Sequence, residues 1–360
     1  MPSLLSSTLA QTSRNQQFLL LQTSTAQTCL PVLRTIVKQA TQRMRETTIL
    51  FCFLYRPSSF LDPSRVPSDR ALVVDKTASV PGYDDSQGSE QDRILGLKKE
   101  LLETIRSAPL GPLSVVIDSV ETLLSDIGSF SETTRLLSEA LALVRARGGS
   151  SRLVLHVLAP SPLLPILSQT RFSPSLTHLT AHPPALLTHL ASAYLTPPPP
   201  LSPDAKFWGV FIPIAERHYE SEKLVFGPGG EGSGSPTEFV VEILVRGGAD
   251  DTGRRRGAQR MLEGWSAALD GPCELHRLES LKALWSKKTV IEVQGAPDPT
   301  QNIPFNLNLT PEQQRSRAQV PLPYAHEGKP LQLQATGAIL YDPDSADDLD
   351  DDDPDDDLDI

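Results

Sequence analysis

Leu113-Ser114-Val115-Val116-Ile117-Asp118-Ser119 is the stretch on which the fold turns. An apolar run follows the turn signal between Pro109 and Pro112 and stops at a carboxylate and a hydroxyl, the pattern of a buried strand. Helical patterns flank it on both sides. Before it, Ile94, Leu97, Leu101, Leu102 and Ile105 recur on one face, with Lys98, Lys99, Glu100 and Glu103 on the other. After it, Leu136, Leu137, Leu141 and Val144 mark a second helix, with Ser131 as its expected cap and Gly148-Gly149 as its stop. In open α/β sheets ligands bind beyond the carboxyl ends of the strands, so Asp118 stands where chemistry would be expected.

Outward from this strand the alternation continues. Phe18-Leu19-Leu20-Leu21 reads as a first strand, Gln22 to Thr28 as a polar turn, and Leu30, Leu33, Ile36 and Val37 as a helix leading to a strand at Ile49 to Tyr55. This is a βαβ unit with parallel strands. Ala71 to Asp75 adds a strand and Lys76 to Gln91 a polar loop; Leu153 to Leu158 is the strand after the second helix. Pro162 to Gln169, Ser175 to Thr180 and Ala185 to Tyr194 extend the pattern until Pro197 to Pro200 end it. Beyond, Phe207 to Ile214 and Phe239 to Val245 alternate like antiparallel strands around a Gly-rich loop, Gly227 to Pro236, and Cys273 to Leu281 and Thr289 to Val293 suggest further strands. The expected organisation is an irregular segment 1–17, an α/β domain 18–294 with a Gly-rich insertion near 227–236, an extended segment 295–341 and an acidic tail 342–360 expected to be disordered.

The formal charge of -11 is local: residues 342–360 hold twelve of the 44 acidic residues and no Lys or Arg. The remaining 32 acidic residues nearly balance 33 basic ones, so the body offers no overall field for nucleic acid. Cys29, Cys52 and Cys273 are too few and too scattered for a disulfide framework or a zinc site, which fits a reducing compartment. No apolar run approaches the roughly 20 residues of a membrane span, and no secretion signal is expected.

Strand, turn, helix, strands and then an apolar strand ending in Asp is the layout of a P-loop nucleotide-binding domain, with Asp118 as the magnesium carboxylate. That chemistry needs G-x-x-x-x-G-K-[ST] after the first strand, because glycines let backbone N–H groups wrap the phosphates and the Lys neutralises them. Gln22-Thr23-Ser24-Thr25-Ala26-Gln27-Thr28 has neither Gly nor Lys, and Gln27-Thr28 stands where Lys-Thr would be. Hydrolysis by this chain alone is therefore not expected, and Asp118 reads as the end of a strand. The Gly-rich loop lacks a following Lys-Ser/Thr, and His178, His182 and His189 lack acidic or Cys partners at ligand spacing, so no metal or cofactor is expected. Arg254-Arg255-Arg256, with Arg260 nearby, is the one dense basic cluster and could touch phosphates through nonspecific, salt-sensitive contacts; the alternative is a solvated loop.

Ile303-Pro304-Phe305-Asn306-Leu307-Asn308-Leu309-Thr310, Glu312 to Arg317, Val320 to Tyr324 and the ending Ile339 to Asp348 place apolar side chains among prolines in a way a core does not explain. These stretches resemble the C-terminal region of the fungal Elongator complex protein 5 family, and the upstream order of elements is similar to that family's RecA-like domain. The resemblance implies a RecA-like fold without ATPase residues, in a noncatalytic subunit of the complex that modifies wobble uridines in tRNA. It implies assembly with two RecA-like sister subunits into a heterohexameric ring that binds tRNA and docks on the catalytic subcomplex, in cytoplasm and nucleus. Phe305, Leu307, Leu309 and Tyr324 would then form a partner-binding motif and Arg254, Arg255 and Arg256 a tRNA contact. The competing readings are a stand-alone NTPase with an atypical phosphate loop and an adaptor acting through the acidic tail.

Overall fold

The computed structural model describes residues 3–10, 16–43, 46–61, 70–79, 90–148, 150–230, 232, 234–247 and 257–286, together with 312 and 315. The chain divides into Met1–Lys287 and Lys288–Ile360; in the second unit the described residues are Glu312 and Arg315, both exposed. The expected strand Thr289 to Val293, the segment 295–341 and the acidic tail therefore lie outside the described residues, apart from these two.

The first unit is built on a nine-stranded sheet. Its strands are β1 (Phe18–Ser24), β2 (Thr47–Cys52), β3 (Ala71–Asp75), β4 (Leu113–Ile117), β5 (Arg152–Ala159), β6 (Leu176–His182), β7 (Glu238–Arg246), β8 (Gln259–Ser266) and β9 (Gly271–Cys273). The helices are α1 (Leu4–Leu9), α2 (Leu30–Gln42), α3 (Glu90–Ser107), α4 (Val120–Ile127), α5 (Phe130–Ala146), α6 (Leu164–Leu167), α7 (Pro184–Ala193), α8 (Asp204–Ala215), α9 (His218–Phe226) and α10 (Lys282–Trp285). Strand order is β3-β2-β4-β5-β1-β6-β7-β8-β9, parallel from β3 to β6 and antiparallel thereafter. The mostly parallel sheet flanked by helices, with antiparallel additions, is the fold class the sequence pattern predicts.

Both faces are covered, which is why β1, β4 and β5 read as continuous apolar runs rather than alternating ones. Pleat alternation sends Phe18, Leu20, Val115, Ile117, Leu153 and Leu155 to a core shared with α3, α4 and α5. Leu19, Leu21, Leu50, Val116 and Val154 go to the opposite core, beneath α1 and α2. Ser114 and Ile117 pair with Arg152 and Leu155, so β5 stands between β4 and β1.

Several expectations need correcting. Phe207 to Ile214 is helical: Phe207, Phe211 and Ile214 share one buried face, and Val240 and Leu278 close a third core around them. The run is apolar all round, so two-residue alternation could not distinguish strand from buried helix. The antiparallel partners of β7 are β6 and β8, and Arg260 of β8 pairs with Leu244 inside the sheet. Cys273 to Leu281 contributes the end of β9 and then 3-10 turns at Leu275–Arg277 and Glu279–Leu281. Leu4–Leu9 forms α1 within the segment expected to be irregular; Leu4 N and Leu5 N donate to the Glu263 carboxylate at 2.7 and 3.0 Å. Between β4 and α5 the chain forms α4, capped by Ser119, whose Oγ accepts from Thr122 N at 3.2 Å. Gly128, at φ 68° and donating to Leu124 O, ends it; the cap position of α5 is then Ser129, not Ser131.

Candidate functional site

The carboxyl ends of β1 and β4 are where a nucleotide would lie in such a sheet, and the chain itself fills both places. After β1, Ser24 N donates to Gln27 O at 2.9 Å and Thr23 Oγ1 to the same carbonyl at 3.0 Å. Gln27 N donates to Ser24 Oγ (3.1 Å), Cys29 N to Thr23 Oγ1 (3.1 Å) and Leu30 N to Thr28 Oγ1 (3.1 Å). N–H groups that a phosphate loop would aim at its ligand are thus spent on hydroxyls of the same turn. Gln27 is itself buried, and its Nε2 donates to Ser235 O at 2.7 Å.

That contact belongs to the Gly-rich segment. The Gly-rich loop leaves α9 through the bond from Gly227 N to Lys223 O and, at Gly234 and Ser235, packs onto the turn. At Gly234 a Cβ would come within 2.0 Å of Ala26 O, so only glycine permits this approach. Thr25 Oγ1 also donates to Glu222 on α9. Gly234 and Ser235 also line a pocket of about 560 Å³, with Pro184, His189, Glu220 and Lys223.

Asp118 is fully buried. Its Oδ1 accepts from Phe53 N at 2.7 Å, and Oδ2 accepts from Leu54 N at 3.0 Å and Tyr55 N at 2.7 Å. The carboxylate therefore anchors the chain leaving β2, while capping of the following helix falls to Ser119. Burial pushes the Asp118 carboxyl above its usual range, and the backbone N–H donors of Phe53, Tyr55, Leu54 and Ser119 pull it back only in part. His156 Nδ1 donates to Asp118 O at 2.7 Å, and burial holds the ring below its ordinary pKa. Burial also pushes the Cys29 and Cys52 thiols up to about 12, which leaves neither an activated nucleophile.

A third cluster is visible only once the strands pair. His178, Thr180 and His182 on β6 share a face with Glu242 on β7 and Arg260 on β8. His182 Nε2 donates to Glu242 Oε2 at 2.9 Å, Arg260 Nη1 is 3.3 Å from Glu242 Oε1, and the Arg260 guanidinium lies 5.9 Å from the Trp208 ring centroid. Burial opposes ionisation of Glu242, yet His182 and Arg260 together hold its carboxyl below the usual range. Burial lowers His178 to about 4, so it is neutral at physiological pH. These groups line a pocket of about 320 Å³ with Gln22, Leu164 and Ile212. His178 and His182 thus do have an acidic neighbour, 60 residues beyond His182, where linear spacing could not show it. Among the described residues no group of three or more His, Cys, Asp or Glu is arranged to hold a metal ion.

Of the other sequence-predicted residues, Arg254, Arg255 and Arg256, and Phe305, Leu307, Leu309 and Tyr324, lie outside the described residues. Gln27 and Thr28 are brought to the first strand's end but closed over, and Asp118 is separated from them by β5.

The profile of the family described as Elongator subunit Iki1 matches residues 4–342. Two curated relatives share a shorter stretch: Elongator complex protein 5 of Danio rerio is 46% identical over 68 residues, covering 18% of this chain and 23% of that protein. Elongator complex protein 5 of Homo sapiens is 43% identical over 70 residues, covering 18% and 23%. These matches span less than a quarter of either relative's length. Among solved structures, a KaiC-like protein of Pyrococcus horikoshii superposes with a TM-score of 0.38 and 10% identity, over 71% of this chain and 88% of that one. With the profile spanning nearly the whole chain, the protein belongs to the Elongator subunit Iki1 family.

Proposed function

We propose that this chain is a noncatalytic, RecA-like subunit of the Elongator complex. It joins two sister subunits of the same fold in a heterohexameric ring, and the ring binds tRNA and supports modification of the wobble uridine by the catalytic subcomplex. The reading places the protein in cytoplasm and nucleus, with no cofactor of its own. Family membership supports the complex. The observation that carries the noncatalytic part is the closed turn after β1: its N–H groups bond within the turn, Gly234 abuts Ala26, and Gln27 occupies the position of the phosphate-binding Lys. The Asp118 carboxylate, engaged by three backbone N–H groups, supports the same division of labour. A sheet organised this way contributes surfaces rather than chemistry.

The test is co-expression with the two presumed sister subunits. Co-elution at micromolar concentration is expected, and separate elution would defeat the assembly reading. Phosphate release by the isolated chain that disappears in Asp118→Ala would instead favour a stand-alone NTPase.

A further inference from the structure

At the amino-terminal ends of β1, β5 and β6 a cavity of about 10 Å³ is lined by Thr8, Gln16, Leu19, Arg152 and Thr177, room for a single water-sized or monatomic guest. Arg152 is 1% exposed. Register puts it in a row with Thr48 and Ser114 across β2, β4 and β5, on the face covered by α1. Its Nε donates to Ser114 Oγ and its Nη1 to Thr8 O, both at a long 3.4 Å. Its Nη2 has no protein partner, and neither does Thr8 Oγ1 nor Thr177 Oγ1. Three residues that line one cavity, from α1, β5 and β6, thus each carry a buried polar atom whose hydrogen-bonding capacity is unused, which native structures rarely tolerate.

The charge is unbalanced as well. Among the described residues no carboxylate lies within ion-pair distance of Arg152. The acid that acts on it electrostatically, Glu46, holds Arg43 Nη1 at 2.8 Å, and Arg43 is a second positive neighbour. Among the described residues, Arg43, Glu46 and Arg152 carry one more positive than negative charge beneath α1. Burial brings Arg152 down to about 10, so it remains charged at neutral pH. A buried cation is costly unless paired. A water could bridge the three atoms but would leave the charge unmatched. A monatomic anion accepts from all three and supplies the missing counter-charge, since the guanidinium can only donate and both hydroxyls can turn to donate.

We propose that Arg152, Thr8 and Thr177 form an internal site for one halide ion, chloride under cellular conditions, which ties α1 to the strands it covers. Thr8 lies on α1, whose other end is held by Glu263, so the ion completes the docking of that helix. The test uses the full chain at constant ionic strength, replacing sodium gluconate stepwise with sodium chloride or bromide. A saturable rise in melting temperature is expected, with matching broadening of the chloride-35 resonance on addition of protein. Thr177→Val preserves side-chain shape and is expected to weaken halide binding at least about tenfold, the equivalent of one hydrogen bond to a charged group. Arg152→Met should abolish it, and if that variant does not fold, Thr177→Val alone decides. A halide-independent melting temperature, or an unchanged halide dependence in Thr177→Val, would overturn the proposal and leave a water as the occupant.

Discussion

Replacing Asp118 by Ala distinguishes a structural carboxylate from a catalytic one, because the two readings differ in sign and place of effect. A metal-binding Asp at a strand end is usually neutral or unfavourable to stability in the unliganded protein, so its removal affects chemistry and little else. Here its removal strands three backbone donors. The Phe53 N–H is in the buried part of the site, and leaving it unpaired costs about 1–3 kcal/mol. Those of Leu54 and Tyr55 are partly buried and become reachable by water once the side chain is cut back, at about 0.5–1.5 kcal/mol each. Relief of the carboxylate's own desolvation returns part of this, which leaves a net loss of about 2–4 kcal/mol. Asp118→Asn is expected to lose nearly as much, since its amide can accept from one oxygen only and turns an NH2 toward a backbone N–H. Urea unfolding of each variant, compared at unchanged slope, reads the loss directly. A midpoint within about 0.5 kcal/mol of wild type would refute the structural role of Asp118 and reopen the catalytic one.

Three further outcomes follow from named contacts. Gly234→Ala should destabilise by at least about 2 kcal/mol, because the added Cβ overlaps Ala26 O, and should speed hydrogen exchange at Gln27; an unchanged melting temperature would show that the segment does not pack on the turn. Lowering pH should destabilise the unit through two groups. His178 has a folded pKa of about 4, below its unfolded value near 6.5, so the unfolded state takes up the proton first and about 2 kcal/mol is lost between pH 7 and 5. Glu242, held below its usual value, adds stability present above about pH 4.5 and lost as pH falls through its folded pKa. His178→Gln should flatten the slope above pH 5, and an unaltered slope in urea melts across pH would contradict this. Changing Arg254, Arg255 and Arg256 to Ala is expected to weaken tRNA binding by the assembled complex, with a shallower dependence on salt; equal affinities across a salt series would mean the cluster is only solvated.

The parallel half of the fold is legible because two-sided burial writes itself into the chain as unbroken apolar runs. Phe18 to Leu21 and Leu113 to Ile117 are buried throughout and bounded by turn residues that local rules recognise. Asp204 to Ala215 is not legible in the same way: its buried face is Phe207, Phe211, Ile214 and Ala215, but Trp208, Val210, Ile212 and Pro213 on the other sides are apolar too, so no polar stripe reveals its 3.6-residue period. Gln259 to Ser266 begins polar and half-exposed, and it becomes recognisable as a strand only by pairing with Glu238 to Arg246. The closed turn after β1 is half visible: the missing Gly and Lys can be read off Gln22 to Thr28, but the cover supplied by Gly234 comes from more than 200 residues away. Glu242 likewise meets His182 and Arg260 only through strand register, which linear motifs do not encode.

The central claim is that the chain works as a noncatalytic member of a ring, and native mass spectrometry of the complex purified through this chain tests it most directly. The account predicts one discrete assembly containing two copies of this chain and two of each of two RecA-like sister subunits. A monomer or a simple homodimer of this chain as the dominant species would contradict it.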